Sequence, residues 1–128
     1  MSTNESEQEL LELAAIAAGI WHPEWDQSAG GHWNIYHDDG VDPSKCWNPL
    51  IDDGDAFRLA VALGLIVNFC PREDGKGQTV VIHSGLSTVE ESCLHGREAA
   101  ARRAIVRAAA SIGRRGSWMK FLDEHKAL

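Results

Sequence analysis

Residues 97–115, REAAARRAIVRAAASIGRR, hold seven alanines and no proline. Alanine is the best helix former, so this segment commits the chain to at least one well-formed helix. Ala101, Ala104, Ile105, Ala108 and Ile112 make its apolar stripe, with Arg103, Arg107 and Arg114 on the opposite side. Arg114 and Arg115 suit the negative end of the helix dipole, and Gly116 is the expected cap. The tail SWMKFLDEHKAL has Trp118, Phe121 and Leu122 to dock it, as a further short helix.

Two more helices are readable. In ESEQELLELAAIAA (5–18), Leu10, Leu13, Ala14 and Ala17 form one stripe, Asn4 and Glu7 suit a capping box, and Gly19 is a stop. Asn48-Pro49 has the chemistry of a helix start, with Asp52, Asp53 and Asp55 in the following turns. From Ala56 to Val67 the only charge is Arg58, so this helix is expected to be buried on most sides, ending at Gly64. LIVNFC (65–70) and QTVVIHS (78–84) are rich in β-branched and aromatic residues. The polar Asp-Gly segment between them predicts an antiparallel hairpin. HWNIYH (32–37) is expected as a short strand at a sheet edge.

The chain has 128 residues, enough for one domain with a core that requires no disulfide or metal. The expected class is α+β: a small, mainly antiparallel sheet with helices packed on both faces, an α-β-α sandwich. No apolar run approaches a membrane span, and MSTNESEQEL is acidic where a signal peptide is basic, which points to the cytoplasm and away from membranes. Cys46, Cys70 and Cys93 are odd in number and widely spaced, as reduced thiols are. The net charge of −7 is uneven: −11 over residues 1–56 and +4 over the rest.

Three blocks, ELLELAAIAAG (9–19), WNPLIDDGDAFRLAVALGL (47–65) and RRAIVRAAASIGR (102–114), resemble in that order a group of small phage and prophage proteins related to the phage α-β-α sandwich domain family. The resemblance covers about a third of the chain. It implies a helix–sheet–helix fold and a phage or prophage origin, and it implies no catalytic activity. The segment 20–46 is longer and richer in His and Trp than that group leads one to expect.

For chemistry, three patterns compete. Trp21, Trp25, Trp33 and Trp47 fall within 27 residues. Tryptophan is enriched at interface hot spots, and it also covers the open ends of folds, so these four are candidates for partner binding and for packing alike. His22, His32, His37, Asp38, Asp39, Asp42 and Cys46 could serve a metal-dependent hydrolase, with His32, His37 and Asp39 as its ligands. Their spacing, however, matches no metal motif. Six arginines between 97 and 115 face one glutamate, so an alternative is a nucleic-acid-binding protein that meets phosphates through Arg103, Arg107 and Arg114 of this helix. No helix-turn-helix precedes them, and the acidic half disfavours a duplex. The sequence therefore points to a non-enzymatic phage or prophage accessory protein in the cytoplasm of a bacterial host. It would need no cofactor, would bind a host or phage protein, and is capable of forming a homodimer.

Overall fold

The computed structural model describes residues 6–19, 25–26, 31–33, 46–85 and 87–125. Three helices, α1 (Glu7–Ala17), α2 (Asp53–Leu63) and α3 (Arg97–His125), accompany two three-stranded antiparallel sheets. The first sheet has the order β1 (Trp25–Asp26), β2 (Gly31–Trp33), β3 (Cys46–Trp47). The second runs β4 (Ile66–Pro71), β5 (Gln78–His83), β6 (Thr88–Ser92).

The hairpin expected from residues 65–84 is present, with Val67 opposite Ile82 and Phe69 opposite Val80. β6 was not anticipated. Its inward positions are Val89 and Glu91, and a glutamate on the core side hides the alternation that marks a strand. Arg107 and Arg103 of α3 approach the Glu91 carboxylate and neutralise it there.

Val80 and Ile82 are fully buried and face α3, which packs on β5 and β6. α1 lies against α3 on the β6 side, and α2 against α3 on the β4 side. The α+β class and the packing of helices on an antiparallel sheet are as expected. The described helices gather on this one face, while the other presents exposed Asn68, His83, Thr88, Glu90 and Ser92.

Several element limits differ from the sequence reading. α1 is capped by Ser6, whose hydroxyl accepts from the Glu9 N–H at 3.1 Å, in place of Asn4. Its buried face is Leu11, Ala14 and Ala15; Leu10, Leu13 and Ala17 flank it. α2 starts at Asp53, because Asn48-Pro49 is spent on a turn. There the Asn48 side chain accepts from the Leu50 N–H at 3.0 Å and the Asn48 carbonyl accepts from Asp52. α2 is also less buried than expected: Ala56, Leu59 and Ala60 are inside, but Phe57, Arg58, Val61 and Ala62 are exposed. It ends at Gly64, whose φ of 64° lets Gly64 and Leu65 donate back to Val61 and Ala60. β2 is the central strand of its sheet, paired on both sides, and not an edge. Gly116 does not stop α3; the helix continues through the expected separate tail to His125.

The buried cluster takes Leu11, Ala14 and Ala15 from α1, Leu59 and Ala60 from α2, Val80 and Ile82 from β5, and a run from Ala100 to Ala109 in α3. Trp47 joins it at 5% exposure. α1 and α3 come close enough at Gly113 that a side chain there would overlap the Leu13 carbonyl.

Candidate functional site: two grooves along α3

α3 divides the helical face of the sheet into two grooves of opposite chemistry. The first lies between α2, β4 and α3, has a volume of about 770 Å³, and is lined by Phe57, Val61, Val67, Phe69, Ala101 and Ile105 among others. Its apolar wall is open to solvent: Phe57 is 68% exposed, Val61 63% and Phe69 44%. Phe57 and Val61 are one helical turn apart on the face of α2 that turns away from Leu59 and Ala60. Val67 and Phe69 point to the same side of the sheet as buried Ile82 and Val80, but they lie one strand further out, past the cover of α3. Large apolar side chains exposed together in this way mark interaction surfaces.

The mouth of this groove is polar and self-neutralised. Arg102 of α3 donates from Nε to the Leu50 carbonyl at 2.9 Å and from Nη1 to Asp53 at 2.5 Å. Asp52 caps α2, accepting from the Asp55 N–H at 2.7 Å. Asp55, itself buried, accepts from the Asn48 N–H at 3.0 Å and from Arg58 at 2.8 Å. The three aspartates that open α2 therefore each hold a structural partner: a cap, an inter-helix ion pair and a turn brace.

The second groove, of about 550 Å³, lies between α1, β6 and α3 and brings together Arg103, Arg107 and Arg114 with Ser87, Thr88 and Ser111. The structure thus gathers the three arginines proposed for phosphate contact. They are engaged within the chain: Arg107 donates to the Glu90 carbonyl at 3.1 Å and to Glu91, and Arg103 stands 3.9 Å from Glu7 and 4.0 Å from Glu91. The Arg103–Glu7 pair joins α3 to the acidic start of α1.

Of the tryptophans, Trp47 is buried in the core, a packing position and not a free binding surface. Trp25 stands in register with His32, and His32 with Trp47, across the first sheet; Trp33 pairs with Cys46. Trp21 lies outside the described residues, as do His37 and Asp39, so among the proposed metal ligands the fold locates His32 alone. Among the described residues, no group of three His, Cys, Asp or Glu side chains is placed to hold a metal ion. Among them, too, no helix is long and apolar enough to cross a membrane. Cys70 and Cys93 are free, half-buried thiols.

The groove residues Phe57, Val61, Val67 and Phe69 went unnoticed in the sequence, where each reads as an ordinary core position. The missing signal was positional: the apolar content of α2 exceeds what one face of a short helix can bury, and β4, at the edge of its sheet, leaves five of its six residues exposed. No family model, no curated protein and no solved structure matches this chain.

Proposed function

We propose that this chain is a protein-binding module without catalytic activity, an accessory protein of phage or prophage acting in the host cytoplasm. The observation that carries the binding reading is the open groove with Phe57, Val61, Val67 and Phe69 on its walls. Burying a side chain of this kind is worth about 1.5–3 kcal/mol, so four of them hold enough free energy to bind a polypeptide even after the cost of association. The phage origin rests on the resemblance of the three sequence blocks.

The partner is a polypeptide offering apolar side chains to the groove and backbone groups to its β4 wall, the mode of strand addition at a sheet edge. The test is site-specific photo-crosslinking in the bacterial cell. A photoreactive residue at position 57 should give a discrete protein adduct, which Val61→Asp abolishes. The same residue at Glu73, exposed in the hairpin turn, should give none. Equal labelling from both positions, or no protein adduct from position 57, overturns the reading.

A further inference from the structure

The outer edge of β4 is complementary to itself, and we infer that the groove is occupied by a second copy of this chain, joined through antiparallel pairing of β4 with β4. This inference rests on the protein-binding reading above and names the partner.

The argument is one of backbone hydrogen bonding. The Arg72 N–H donates to the Gly77 carbonyl at 2.9 Å, which fixes the phase of the β4–β5 ladder. In an antiparallel pair, alternate residues turn their N–H and C=O groups toward the neighbour. Ile66, Asn68 and Cys70 therefore bond to His83, Val81 and Thr79. The Cys93 N–H donates to the Gln78 carbonyl, and the Ser84 N–H to that of Ser87. Gln78, Val80 and Ile82 thus face β6, which leaves the odd-numbered β5 residues for β4, in agreement. Val67, Phe69 and Pro71 then turn their backbone groups outward, where no described strand pairs with them.

Pro71 has no N–H, and the Leu65 N–H is already taken by the Ala60 carbonyl. Val67 and Phe69 are thus the two β4 residues that offer both a donor and an acceptor outward. One antiparallel register satisfies all four groups of each strand: Val67 against the partner's Phe69, Phe69 against the partner's Val67, with a twofold axis at Asn68. It closes four N–H···O=C bonds. Shifting the strand by two residues in either direction sets Pro71 or Leu65, neither with an N–H to give, against one of them and leaves a Val67 or Phe69 carbonyl of each strand without a donor.

The side chains agree with that register. Residues 65–71, LIVNFCP, carry no charge, so the edge lacks the lysine or inward charge that usually blocks such pairing. Val67 and Phe69 of the two copies alternate across the axis on the groove side and join the two grooves into one apolar seam, with Phe57 and Val61 at its flanks. On the other face Asn68 meets the partner's Asn68. The arrangement is isologous and closes at two copies.

In this register the two Asn68 Cα atoms form a non-hydrogen-bonded pair, ~4.5 Å apart and within disulfide range. Ile66, on the same face, lies some four residues from its symmetry mate, on the order of 13 Å along the strands. The experiment uses the full chain with Cys46, Cys70 and Cys93 replaced by Ser. Asn68→Cys should form a disulfide-linked dimer under mild oxidation, and Ile66→Cys should not. In the otherwise unaltered chain, Asn68→Lys puts like charges directly opposite each other at an exposed position, and sedimentation should show a dimer weakened about tenfold or more. Crosslinking of Ile66→Cys as fast as Asn68→Cys overturns the register. A chain that sediments as a monomer at ~100 μM, far above the Kd of a specific interface, overturns the second copy. If such a monomer still yields an adduct with a different protein from position 57, the protein-binding reading stands alone; if it yields none, both fall.

Discussion

Gly113 of α3 sits against the backbone of Leu13 in α1: a Cβ placed on it would overlap the Leu13 carbonyl oxygen and lie 2.8 Å from the carbonyl carbon. The obstacle is main chain, which cannot rotate away as a side-chain end can. Gly113→Ala should therefore destabilise the protein by about 1–3 kcal/mol or more, against a gain of about 1 kcal/mol in helix propensity for the same change in a free helix. Urea denaturation of the two proteins measures it. A neutral or stabilising Gly113→Ala would mean that the helices cross elsewhere.

The aspartates of α2 should separate by burial. Asp55→Asn removes a buried carboxylate that takes hydrogen bonds from the Asn48 N–H and from Arg58, and should cost about 1–3 kcal/mol. Asp53→Asn, at an exposed ion pair with Arg102, should cost about 1 kcal/mol or less. The position of Asp55 under the Asn48 turn singles it out among the three aspartates. Chemical denaturation of both variants tests the order.

Trp47→Ala empties a position that is 5% exposed in the core, and should cost about 3–5 kcal/mol. For a domain of this size that lowers Tm by roughly 10 °C or more. Treatment with a chelator should leave Tm unchanged. Thermal melts followed by circular dichroism decide between them: a chelator effect as large as the tryptophan deletion would restore the metal reading of His32, His37 and Asp39.

Asp74 in the β4–β5 turn accepts from Arg72 Nη2 at 2.8 Å and from the Lys76 N–H at 2.9 Å. The hydrogen bonds from the Arg72 guanidinium, then from Lys76, hold its carboxyl below the usual range. Because the folded value lies below the unfolded one, the contribution of this turn is complete above the ordinary Asp pKa of about 3.9 and is lost as pH falls through the folded value. An NMR titration of the Asp74 carboxyl should give a midpoint below that of an unstructured peptide. Arg72→Ala should raise it.

The elements whose residues all obey one rule were readable. The alanine segment of α3 and the two β-branched runs of the hairpin each have a single energetic preference, and they fold accordingly. Where two uses of a residue compete, the sequence was silent. Asn48 can cap a helix or brace a turn, and the turn won because Asp52 was available four residues on as the cap. Glu91 occupies a core-facing strand position that local pattern assigns to an apolar residue. It is stable there through Arg103 and Arg107, which are more than ten residues away. The groove was hidden for a related reason: Phe57, Val61, Val67 and Phe69 have core chemistry, and burial is decided by which elements arrive beside them. The β4 edge could have been noticed in part, since no charge falls between Arg58 and Arg72.

Nine of the sixteen hydrophobic residues buried in the described structure are alanines, and seven of those nine belong to α1 and α3. A core assembled from methyl groups has little side-chain volume to lose and almost no room to gain. Its tolerance is the reverse of that of a leucine-filled interior: trimming a residue leaves a small void, whereas any enlargement pushes two backbones apart. Over generations such a seam would keep its composition, whereas the exposed side chains on the opposite face of the sheet, Asn68 aside, can change volume without moving either helix.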